Sequence, residues 1–372
     1  MRAPFWRHAT LGASALLSLC ATGCHLVAGL EEREVAGSGG VGGQTCDPVY
    51  GKPGPDLGPA LMPGQIPIVE ETERPRHLAV DSLADGYVYW SSEAAGTLGG
   101  VWRAPKFPEK LVTKGVQVAP VDASLRTIGQ LLVDGTNSYV YWVERPVGEC
   151  TPDNPLRIMR IAPGETCAVG EQLFASCEAG VNQIALDGAA LYWTDPPAHK
   201  VWSMDVVTKE MTDTQLAADV EPVAIGVDTE AVFWSARVGT AGEHRFFRMA
   251  KKTKEIQEAA AEHLAQIFVL HNEYVYWISP DFGVGGRFIA NDIGSQSLFL
   301  EGIDKPGDIA LRSDRVYVSA AAEATVRVFT RDMLEPLNPL ATMQAYPQGM
   351  GLVGDYLFWA NFQGNMIMRH QF

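Results

Sequence analysis

The chain's most concentrated chemical potential is a set of polar residues that recur at one place in a repeating phrase. Glu93, Glu144, Asp195, Arg237, Asp281 and Asn361 each follow an apolar–aromatic run by two to four residues. Carboxylate and amide oxygens of this kind hold divalent cations, and such an ion acidifies its bound water. With an arginine among them, the same six residues form a mixed polar face suited to a ligand or a protein partner. His199 and His244 fall in matching loops of adjacent repeats and offer imidazole nitrogens to a metal. The sequence contains no His-Glu-x-x-His, no Gly-x-Ser-x-Gly and no EF-hand loop. No catalytic residue and no resident cofactor is therefore assigned. For any one of these residues, a solvated loop position is the default reading.

The elements that would position them are unusually legible. Val88-Tyr89-Trp90, Val140-Tyr141-Trp142, Leu191-Tyr192-Trp193, Val232-Phe233-Trp234, Val275-Tyr276-Trp277 and Leu357-Phe358-Trp359 repeat one pattern. Trp193 and Trp234 are 41 residues apart, Trp234 and Trp277 are 43 apart, and Trp277 and Trp359 are 82 apart. A member is thus expected near residue 318, where Val316-Tyr317-Val318 stands, making seven copies. Each copy begins with an apolar strand ending in Asp, such as Leu78-Ala79-Val80-Asp81 or Ile184-Ala185-Leu186-Asp187. A turn, the aromatic strand, a polar loop and two further strands follow. Four strands per unit of roughly 40 residues is one propeller blade, so an all-β, seven-bladed β-propeller is expected. The recurrent Asp is read as a turn residue that bonds nearby backbone N–H groups.

Two details refine the expectation. The last copy stops after its third strand, and Gln65-Ile66-Pro67-Ile68-Val69-Glu70 precedes the first. The N-terminal piece is expected to supply the missing outer strand and close the ring. Residues 254–263 are rich in helix formers, but repeat phase places the fourth strand of blade 4 there.

Residues 1–23 read as a signal peptide: Arg2, Arg7 and His8, then an apolar stretch from Ala9 to Leu19. That stretch is too short to span a bilayer as a mature helix. Residues 24–64 read as a tether, with the Gly-rich run 36–43 at its centre and Pro and Gly beyond it, and 65–372 as the propeller. Gly37-x-Gly39-x-x-Gly42 within the tether lacks the strand and helix of a dinucleotide site. Cys46, Cys150, Cys167 and Cys177 suggest two disulfides in an exported chain. Cys150 and Cys177 sit in loops that open on one face, so Cys150–Cys177 with Cys46–Cys167 is the favoured pairing and Cys150–Cys167 the next. The net charge is −15, and removing Arg2 and Arg7 makes the remainder more acidic still. This opposes nucleic acid or anionic lipid as a partner.

Ala21-Thr22-Gly23-Cys24 resembles a bacterial lipobox, with Ala21 where Leu is usual. The resemblance implies that Cys24 is acylated, with palmitate or a similar chain, and becomes the mature N-terminus. His25 after the Cys, in place of Asp, lacks the usual inner-membrane retention cue, so the outer membrane is the expected destination. Leu191-Tyr192-Trp193-Thr194-Asp195 resembles the YWTD signature of the low-density-lipoprotein-receptor class of propellers. That class has six blades where seven are counted here, and NHL and SMP-30 propellers look similar at this level. The resemblance implies a propeller that binds proteins or other ligands. The preferred expectation is a monomeric, non-enzymatic binding module, tethered to the membrane by its lipid alone, for an envelope protein or extracellular ligand. A subunit of an outer-membrane assembly complex is a variant of it, and a metal-dependent lactonase or hydrolase of the SMP-30 kind is the alternative.

Overall fold

The computed structural model describes residues 65–93, 99–332 and 335–372. The expected signal peptide, Cys24, the tether and Cys46 lie outside these residues. Every regular element among those described is a β-strand, and the strands form seven antiparallel sheets. Within each sheet the chain steps outward from an inner strand through the aromatic strand. The inner strands are Pro75–Val80, Arg126–Val133, Ile184–Asp187, Val220–Val227, Ile267–His271, Pro306–Arg312 and Pro347–Val353. They define blades 1 to 7 of a β-propeller.

The repeated aromatic pair is explained by alternation along a strand. Seven hydrophobic clusters lie between neighbouring blades. In each, the Tyr or Phe of one blade meets the Trp position of the next: Tyr89 with Trp142, Tyr141 with Trp193, Tyr192 with Trp234, Phe233 with Trp277, Tyr276 with Val318, Tyr317 with Trp359, and Phe358 with Trp90. All six Trp residues of the repeat are among the most completely buried side chains. Truncating one such ring typically costs about 3–5 kcal/mol. The sequence period is therefore the period of the interblade core.

The ring closes as expected. Gln65–Val69 pairs with Met366–Gln371, with Gln65 opposite His370 and Pro67 opposite Met368. Beyond this strand, Glu70 N–H donates to Val112 O at 2.9 Å and Val112 N–H donates to Ile68 O at 3.0 Å, tying blade 7 to blade 1. Ile256–Ala261 is a strand, so repeat phase overrides helix propensity there.

Blade 6 departs from four regular strands. Its sheet has three, and the segment after them makes only isolated bridges, Val326 with Ala341 and Phe329 with Pro336. Pro336 and Pro339 lack the N–H that a continuous ladder needs.

The expected disulfide Cys150–Cys177 is present, with Cα atoms 5.4 Å apart, which excludes the Cys150–Cys167 alternative. Cys167 is held by its own N–H donating to Gln117 O at 3.1 Å. Its expected partner, Cys46, is outside the described residues.

Candidate functional site

Inner strands of a propeller line its axis, so the residues that reach the channel are set by where those strands bend. In blades 1, 2, 4, 6 and 7 the inner strand carries a register shift just before the residue opposite the Trp position. Pro75, Pro222, Pro306 and Pro347 stand at the start of four of these shifts, where a missing N–H breaks the ladder cheaply. At the shift, side chains that would face a neighbouring blade turn to the axis. His77, Gln130 and Asp308 stand at these shifts in blades 1, 2 and 6, and Gln183 precedes the residue opposite Trp193 in blade 3, whose inner strand pairs without a shift.

Three of them also join blades. Gln130 Oε1 accepts from Ile184 N–H at 2.8 Å, Gln183 Oε1 from Ile225 N–H at 3.3 Å, and Asp308 Oδ2 from Met350 N–H at 2.7 Å. Each bond runs from one inner strand to the next. Hydroxyls after the aromatic pair act similarly: Thr194 Oγ1 donates to Val223 O at 2.8 Å and Ser235 Oγ to Ala265 O at 2.6 Å. The polar collar is therefore rigid as well as exposed to the channel.

The collar surrounds a cavity of about 1010 Å³ at one mouth of the channel. Its wall at blades 1 and 2 carries the cations Arg76 and Arg145 with His77 among them; its wall at blades 5 and 6 carries Asp281, Asp304, Lys305 and Asp308. The imidazole of His77 is ringed by protein yet touches the cavity. Burial first, then the charges of Arg76 and Arg145, push its pKa down to about 3, so it is neutral at pH 7. Burial raises the Asp308 carboxyl to about 6, against two opposing N–H donors from Met350 and Ile309. Arg145 lies in the second strand of blade 2 and donates through Nη2 to Asn182 O at 2.5 Å and Val181 O at 3.3 Å. A smaller cavity of about 410 Å³ lies farther along the same inner strands.

The six residues expected to form a loop face divide into two groups. Glu144, Asp195 and Asn361 are buried, and each is part of its blade's own hydrogen bonding. Trp142 Nε1 donates to Glu144 Oε1 at 2.9 Å, and burial raises the Glu144 carboxyl. Asp195 accepts from Gly180 N–H at 2.7 Å and from Trp202 Nε1 at 3.0 Å. Asn361 Nδ2 and Trp359 Nε1 both donate to Gln344 Oε1 at 3.0 Å. Glu144 and Asp195 are thus turned inward as acceptors for the indoles of Trp142 and Trp202, and Asn361 joins the Trp359 indole on the Gln344 oxygen. Glu93, Arg237 and Asp281 stay at the surface. Glu93 pairs with Arg76 at 2.6 Å, and Asp281 Oδ2 accepts from Gln266 Nε2 at 2.8 Å while lining the channel mouth.

His199 Nδ1 lies 3.0 Å from Val220 O, at the start of the next blade's inner strand, and His244 Nδ1 lies 3.3 Å from Glu262 O, just past the outer strand of its own blade. Among the described residues no group of three or more His, Cys, Asp or Glu is placed to hold a metal ion. The residues that do converge, Arg76, His77, Gln130, Arg145, Gln183 and Asp308, were not singled out by the repeat. Their signal was the polar break just before the residue opposite each Trp, often headed by Pro.

No described protein family and no curated protein matches the sequence. Solved structures do. A chain of a nidogen/laminin complex aligns at TM-score 0.50 and 14% identity over 66% of this chain and 90% of that one. Streptogramin B lyase aligns at TM-score 0.57 and 12% identity over 81% and 93%. The Cps50 (Swd1) β-propeller domain of Myceliophteria thermophila aligns at TM-score 0.57 and 12% identity over 81% and 96%. A protein complex, a lyase and a further propeller domain share the architecture at this low identity, so the likeness establishes the fold and no one activity.

Proposed function

We propose that this chain is a cell-envelope lipoprotein whose propeller is a non-enzymatic binding module, with its ligand seated in the channel mouth. The observation that carries the binding reading is the cavity of about 1010 Å³, rimmed by polar side chains from most of the blades. A preformed concave site with a few convergent polar groups is the usual form of a ligand pocket, and this volume is at the upper end of that range. The collar bonds between inner strands keep it formed without a ligand. The proposed domain order is a signal peptide over 1–23, acylated Cys24 with a tether to residue 64, and the propeller. Ala21-Thr22-Gly23-Cys24 supports the anchor, and the lack of a three-residue metal cluster among the described residues gives the metal-dependent hydrolase alternative no geometric support.

One pair of measurements tests both halves. Cys24→Ala is expected to leave an unprocessed precursor that takes up no palmitate label; normal processing and release would refute the anchor. The melting temperature of the full chain is expected to be unchanged by EDTA. A drop that calcium or zinc restores would return the channel to the hydrolase reading.

A further inference from the structure

Arg145 is placed where an arginine would not ordinarily stand. It belongs to the second strand of blade 2, paired with Thr127, yet it lines the axial cavity. To get there it crosses the inner strand at Gly129, inside the register shift between Ile128 and Leu131. A methyl group at Gly129 would collide with Arg145 Nη1. The bulge and the glycine thus form a gate through which a guanidinium passes to the channel.

The guanidinium is fixed there by two backbone carbonyls, those of Val181 and Asn182. No carboxylate pairs with it among the described residues, and Arg76, the nearest charge acting on it, is also a cation. Arg76 has Glu93 as its partner; Arg145 has none. Burying an unpaired cation costs several kcal/mol unless a counter-charge arrives. In a chain of net charge −15 a carboxylate could readily have been supplied from within. Arg145 instead lines the cavity, as do His77, on which its charge acts, Gln130 and Gln183.

We infer that the channel mouth takes a small organic carboxylate, whose anionic group docks on Arg145 with His77 and Gln130 beside it. A carboxylate fits better than a phosphate because the facing wall sets Asp281, Asp304 and Asp308 against the single cation Lys305. A second negative charge on the ligand's anionic head would be repelled by that wall, while a single charge is matched by one arginine. The inference deepens the binding-module reading and rests on it.

The test titrates the full chain calorimetrically with the monocarboxylate butyrate, inorganic phosphate and the uncharged butyramide. Butyrate is expected to bind and butyramide not to. Arg145→Gln is expected to weaken butyrate by about tenfold or more, the size of a lost charge-assisted hydrogen bond, with Arg145→Lys falling between. Hydrogen exchange on the unmodified chain supplies a readout that does not depend on a variant folding: butyrate should slow exchange in residues 126–133 and 180–184. Butyrate that fails to bind, binds Arg145→Gln equally, or protects another region overturns the inference. Phosphate binding more tightly than butyrate overturns the choice of carboxylate. If butyramide binds as well as butyrate, the channel remains a binding site and the anionic anchor is wrong.

Discussion

An imidazole held neutral down to about pH 3 gives the acid stability of the fold one identifiable contributor. The ordinary pKa of His77 is 6.5 and its folded value is about 3, so between these the unfolded chain binds more protons than the folded one. Stability must therefore fall as pH drops through that window, by at most about 1.4 kcal/mol per unit. Asp308 works the other way. Its folded value of about 6 exceeds the ordinary 3.8, so its contribution is full below 3.8 and is lost as pH rises through 6. The two oppose each other between about pH 4 and 6. His77→Gln removes only the first, so the variant is expected to lose less stability than the natural chain between pH 7 and 4.5 in urea unfolding. Equal losses would show that His77 is not the buried neutral group described. None of this was legible in the sequence. The repeat drew attention to residues after the aromatic pair, and Glu144 and Asp195 prove to accept from indole N–H groups, while Asn361 shares the Gln344 oxygen with the Trp359 indole. His77 and Asp308 lie before the strand residue that faces the Trp position, where only the break in alternation marks them.

At the scale of elements the sequence was far more informative. One aromatic pair per blade is the visible trace of one interblade cluster, because packing against two neighbours requires a large ring on each face of the same strand. Phase alone resolved residues 256–261 as a strand and located the closing strand at Gln65–Val69. What phase could not reveal was the broken outer edge of blade 6, since that depends on Pro336 and Pro339 inside an otherwise ordinary loop. The closing strand makes a direct prediction. It buries Ile68 and Val69 completely and covers the edge of Met366–Gln371. A chain beginning at Glu71 loses about 3–6 kcal/mol from those two side chains alone, and exposes an unpaired edge. Compared with a chain beginning at Thr45, it is expected to melt lower and to sediment as aggregate. An unchanged melting temperature with a monomeric boundary would mean the ring does not need its N-terminal strand.

Across the whole molecule, a closed ring makes seven interfaces share one fate, yet they are not equal. Six contain a Trp from the repeat; the interface between blades 5 and 6 has Val318 in that place, with Ile303 and Phe329 filling around it. Among the described residues blade 6 also has three regular strands where the other blades have four. The disulfide Cys150–Cys177 lies elsewhere, bracing blade 2 near the loop to blade 3, where a cross-link of this span is worth about 3–4 kcal/mol. Less buried aromatic area, a broken outer ladder and a distant covalent brace all place the lowest opening free energy at blade 6. In native-state hydrogen exchange, amides of residues 306–330 are expected to exchange through sub-global opening before those of blades 2 and 3. The cavity's acidic wall at Asp304 and Asp308 belongs to this same labile blade, while its cationic wall at Arg145 belongs to the braced one. Uniform exchange around the ring, or earliest opening in blade 2 or 3, would contradict this ordering and make the Trp-to-Val exchange energetically silent.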